Sequence, residues 1–101
     1  MSVLLAAPLL AAGLVSGPID ADCRFDGIAL QGRVKIVTSF PDIRVQAVTS
    51  FPDLRVQRVD SFPDRCGRWQ FVGSFPDFTI QYVESFPDIR VEYVTSFPGL
   101  R

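Results

Sequence analysis

TSFPDIRVQAVTSFPDLRVQRVDSFPD, residues 38–64, writes one phrase twice and opens it a third time. Aligned on its second residue, the phrase recurs at Ser39, Ser50, Ser61, Ser74, Ser85 and Ser96, with steps of 11, 11, 13, 11 and 11 residues. A fixed short period marks a repeat architecture, in which neighbouring units must share one core. Within a unit, Ile43, Arg44, Val45 and Gln46 alternate apolar and polar, the pattern of a strand with one buried face. Eleven is odd, so an uninterrupted strand would turn its apolar face outward in every second unit. The Phe-Pro step can reset that phase: proline fixes its own φ, offers no ladder donor and biases the residue before it toward extended backbone. The Asp that follows can accept hydrogen bonds from nearby amides and close the turn, with the Ser in support.

These features predict an all-β fold: seven short strand segments in a compact closed ring, joined by Phe-Pro-Asp corners. The corners are Phe40-Pro41-Asp42, Phe51-Pro52-Asp53, Phe62-Pro63-Asp64, Phe75-Pro76-Asp77, Phe86-Pro87-Asp88 and Phe97-Pro98, within 39–42, 50–53, 61–64, 74–77, 85–88 and 96–99. A further corner is expected at 25–28, where FDGI resembles FPDI. The six phenylalanines are expected to turn into the shared core. So are the recurrent valines Val37, Val48, Val59, Val72, Val83 and Val94. The residue before each valine varies through Ile36, Ala47, Arg58, Phe71, Tyr82 and Tyr93, and is expected to face away from the core.

Outside the repeat, residues 2–15 are apolar and uncharged, the length of a signal-peptide core but short for a bilayer span. Residues 1–21 therefore read as a signal peptide cleaved near Ala21 or as an apolar N-terminal arm, and 22–101 as the repeat domain. No Lys or Arg precedes the apolar run, which keeps the arm and a membrane anchor open as alternatives. Export would place the domain in the periplasm or outside the cell, with membrane contact only in transit. Cys23 and Cys66 are the only cysteines, and an oxidising compartment would let them pair; two free thiols are the other reading. A link across 43 residues would contribute on the order of 4 kcal/mol by chain entropy.

Composition narrows the function. A net charge of -1 gives no general attraction to nucleic acid. With no histidine, the commonest general base and transition-metal ligand are both missing. The expectation is a non-enzyme with no metal and no cofactor.

The segments CRFDG, SFPDIRVQ, RCGRWQFVGSFPD and VTSFPGL together resemble the 7(1) septoil knot domain proteins, small bacterial domains of SFPD repeats. The resemblance runs from Cys23 to Arg101 and implies a backbone tied in a seven-crossing torus knot. A chain drawn as a seven-pointed star laps its axis twice. Each segment should then lie beside the one about 38 or 39 residues later, three and a half steps of the repeat.

Candidate sites are few. Trp69, Phe71, Tyr82 and Tyr93 are the best binding residues, as an aromatic patch on the late units suited to an envelope protein, a peptide or a glycan. Asp42, Asp53, Asp64, Asp77 and Asp88 could form an acidic rim for a hard cation, though turn formation accounts for them. Arg44, Arg55 and Arg90 could make a cationic ladder, though pairing with neighbouring acids accounts for it equally. The sequence thus predicts an exported structural or binding module of unknown ligand. The alternative is a regulator or inhibitor of an envelope enzyme, acting through the patch or the rim.

Overall fold

The computed structural model describes residues 17–100. The greater part of the proposed signal segment lies outside the described residues. Its last residues do not: Ile19 is buried in the core, and the Asp20 carboxylate accepts hydrogen bonds from the amides of Asp22 and Arg24.

The fold is all-β. Among the described residues, nine strands run in the order β1 (Arg24–Phe25), β2 (Ile28–Ala29), β3 (Gly32–Ile36), β4 (Ile43–Ala47), β5 (Leu54–Arg58), β6 (Arg68–Phe71), β7 (Phe78–Tyr82), β8 (Ile89–Tyr93) and β9 (Gly99–Leu100). Strands β3 to β8 close a parallel ring in the order β6-β3-β7-β4-β8-β5, with β5 pairing back to β6. Strands from the two halves of the repeat therefore alternate around most of the ring. Ile43 faces Ile80, 37 residues on, and Val45 faces Ile89, 44 residues on. The spacing expected from the sequence falls between these two neighbours.

Two segments depart from the expected seven equal sides. β9 is antiparallel to β5 outside the ring. FDGI is not a corner: β1 and β2 form an antiparallel hairpin, and Asp26 and Gly27 both have positive φ, as a tight two-residue turn requires. The described residues thus form six Ser-Phe-Pro corners and one hairpin. The Cys23–Cys66 disulfide joins that hairpin to the approach to β6, with Cα atoms 6.0 Å apart.

The strand alternation is as the sequence predicts, and it supplies most of the core. Ile43, Val45, Leu54, Val56, Phe78, Ile80, Ile89, Val91, Val34, Leu30 and Trp69 are buried. The corner phenylalanines are not among them. Phe40, Phe51, Phe62, Phe75, Phe86 and Phe97 are 74–97% exposed, which corrects the expectation that they fill the interior. Nor are they extended: all six have φ of 51–56°, the left-handed region that a bulky L-residue rarely enters.

The hydrogen bonds give the reason. After β3, the Val37 amide donates to the Ile80 carbonyl of β7; before β4, the Asp42 amide donates to Thr79 of the same strand. β7 lies between β3 and β4 in the ring, so residues 38–41 must pass across it. They do so on its outer face, where the outward Gln81 side chain donates to the Thr38 carbonyl. Each such connection is a strap over the strand between its two ends. A ring carried on a strap is separated from the core by that strand. The positive φ then supplies the sharp reversal the crossing needs.

The same anchors recur. Val48 and Asp53 bond to β8, Val72 and Asp77 to β3, and Val83 and Asp88 to β4. The recurrent valines are consequently half-buried under the edges of the straps rather than inside the ring. Gln46 donates to Glu84 O and Gln57 to Thr95 O, each from a crossed strand to the strap above it, and Gln70 donates to Asp60 O of the connection that leads into its own strand.

Candidate functional site

In a closed ring of parallel strands, all the C-terminal ends lie at one mouth. The last residues of β3 to β8 are Ile36, Ala47, Arg58, Phe71, Tyr82 and Tyr93, the positions that vary along the repeat. Each lies two residues beyond a buried residue of its strand and shares its inward side. The expectation that they face away from the core is therefore corrected. They are on the core side, but at its open end. Phe71 and Tyr93 pack against the core, while Tyr82 and Ile36 remain 38% and 49% exposed.

Three of the four predicted aromatic residues meet there. The hydroxyls of Tyr82 and Tyr93 hydrogen-bond to each other, and the Phe71 and Tyr93 rings are 6.4 Å apart. Burial, reinforced by the Tyr82 hydroxyl, pushes the Tyr93 phenol well above its ordinary range, and Arg58 opposes this only in part. Trp69 does not belong to the surface. It is fully buried, with Nε1 donating to the Leu30 carbonyl at 3.1 Å and its ring edge-on to Phe71 and Phe78 at 6.2 and 5.5 Å. Arg58, which carries no aromatic signal in sequence, completes the cluster. Its guanidinium lies 4.6 Å from the Tyr93 ring centre and 5.1 Å from that of Phe71, within cation–π range.

The corner carboxylates have a different role from the local turn closure expected of them. Asp77 accepts from the Arg33 amide, Asp88 from Arg44, Asp42 from Thr79 and Asp53 from Arg90, across 44, 44, 37 and 37 residues. In each case the Asp amide donates back to the carbonyl of the same residue. Each Asp thus clamps its strap to the strand below. Residues 27–101 match the family described as the 7(1) septoil knot domain. The chain belongs to that family. No curated protein matches it.

The septoil repeat breaks its own pattern at two corners. The Asp64 amide donates to Phe62 O and its carboxylate lies 3.6 Å from Arg68, because the two-residue insertion turns the chain back into β6. Gly99 stands where the last Asp would be, and it pairs with Arg55 instead. Among the described residues of the septoil chain, no three acidic or cysteine side chains gather as a metal site would require. The arginines also fail to form a ladder: Arg55 lies 3.8 Å from Glu92, and Arg90 donates to Gln46.

Proposed function

We propose that the chain is a non-enzymatic, exported binding module whose contacts are made by the corner phenylalanines. The observation that carries this reading is the combination of exposure and strain at all six. A residue held at positive φ costs on the order of 1–2 kcal/mol, and these rings gain little burial in return. Rings displayed at that cost on straps bonded to the strands beneath, four of them clamped by an Asp as well, are preorganised contact points, which lose less entropy on binding than a mobile loop would. The Cys23–Cys66 disulfide is compatible with an oxidising compartment, which supports export. Family membership and the straps over intervening strands support a threaded, kinetically stable backbone. Refolding from the fully denatured chain should then be slow even with prolyl isomerase present; complete refolding in milliseconds would remove threading from the account.

Photo-cross-linking tests the contact role. With p-benzoylphenylalanine in place of Phe86, a saturable adduct should form in an extracytoplasmic extract. Excess wild-type protein should compete it away, and a variant with serine at all six corners should not. Equal competition by that variant, with its melting unchanged, would show that the rings make no contact.

A further inference from the structure

We propose that the ring mouth beside Arg58 binds a carboxylate carried on an apolar group. A cleft there is lined by Gln57, Arg58, Tyr93, Val94 and Thr95, between the end of β5 and the strap that crosses it. None of these five residues is acidic, and Arg58 makes no ion pair among the described residues. The guanidinium is held by the Tyr93 and Phe71 rings, so its direction is fixed before any ligand arrives. Stacking engages the face of a guanidinium; one N–H is directed at the Tyr93 hydroxyl, and the remaining N–H edge is left to grip a carboxylate.

The rest of the cleft suits the remainder of such a ligand. Thr95 is exposed; its carbonyl is engaged by Gln57, which fixes the strap and leaves the Thr95 hydroxyl to donate to a carboxylate oxygen. Val94 and the Tyr93 ring offer an apolar wall. The site is separate from the corner phenylalanines and stands whether or not they bind a partner.

The chain's single tryptophan makes the test direct, because Trp69 lies under Phe71, 6.2 Å between ring centres. Titration with 3-phenylpropanoate should change Trp69 fluorescence saturably and shift the amide resonances of Arg58, Val94 and Thr95. The uncharged 3-phenylpropan-1-ol should bind at least tenfold more weakly. Arg58→Met, which keeps the stem over the rings, should abolish acid binding, and Arg58→Lys should weaken it. A tripeptide ending in a free phenylalanine carboxylate, run beside its amide, identifies the source: tighter binding than the small acid points to chain ends, weaker binding to free acids. No saturation by either carboxylate, or equal affinity for acid and alcohol, would overturn the proposal. Undiminished binding by Arg58→Met would do the same. The acid-against-alcohol comparison on wild-type protein stands even if the variant does not fold.

Discussion

Replacing Asp88 by alanine should loosen a residue 44 positions earlier in the chain. In the structure the Asp88 carboxylate accepts the Arg44 amide at 2.8 Å, and the Asp88 amide donates to the Arg44 carbonyl at 2.8 Å. Alanine preserves the second bond and removes the first. A hydrogen bond to a charged acceptor contributes about 1.5–3 kcal/mol, but water can reach the freed amide at this exposed site, so a loss of about 1–2 kcal/mol is expected. For a domain of this size, that lowers the melting midpoint by about 4–16 °C. Hydrogen exchange followed by NMR locates the effect. The Arg44 amide should exchange roughly tenfold faster relative to global opening, since about 1.4 kcal/mol corresponds to a factor of ten. Asp88→Asn keeps an acceptor oxygen and should recover much of the loss. If Arg44 exchange is unchanged and only the amides next to Asp88 speed up, the carboxylate closes a local turn and the clamp is wrong.

Three further outcomes follow from particular contacts. Gly67→Ala should be severely destabilising, by about 3 kcal/mol or more. Its Cβ would stand 2.5 Å from the Arg55 carbonyl oxygen and 2.7 Å from the Gly99 amide nitrogen, at a φ of +85°. Urea denaturation measures it. Removing the disulfide with Cys23→Ser and Cys66→Ser together should cost about 4 kcal/mol, read by the same assay. Tyr93 has its phenol pushed up in the folded state, so its contribution is fully present below the unfolded value of about 10 and is lost as pH rises beyond it. Stability measured from pH 8 to 11 should therefore decline at the upper end, and Tyr93→Phe should flatten that decline.

Much of the fold is legible in the sequence because its cause is local. Alternation from Ile43 to Gln46 identifies the buried face, the odd period demands a reset at every corner, and the two cysteines have only each other. What the sequence conceals depends on partners far along the chain. Phe40 looks like core because hydrophobicity is read as burial, yet its strap runs over β7, and only the ring order β3-β7-β4 reveals that. Asp42 looks like a turn former because its true partner, Thr79, is 37 residues away. The Gln46, Gln57, Gln70 and Gln81 series is a usable signal: an amide recurring at one place in four of six units, with Lys35 and Glu92 at the others, asks for a repeated acceptor. FDGI resembles FPDI, yet Asp-Gly between short apolar runs is itself a hairpin signature, and that local signal prevails. Of the four aromatic residues, Phe71, Tyr82 and Tyr93, each the residue before a recurrent valine, lie together at the ring mouth. Trp69 sits two residues earlier on the strand that ends at Phe71, one layer deeper, and Arg58 shares the variable position but carries no ring to mark it as part of the patch.

Which side chains the ring encloses is tested by one pair of substitutions three residues apart. Ile43 is fully buried and Phe40 is 97% exposed. Equilibrium denaturation of Ile43→Ala should show a loss of about 2–5 kcal/mol, whereas Phe40→Ala should stay within about 0.5 kcal/mol of wild type. A loss above about 2 kcal/mol at Phe40, with Ile43→Ala tolerated, would place the corner rings inside and contradict the fold described.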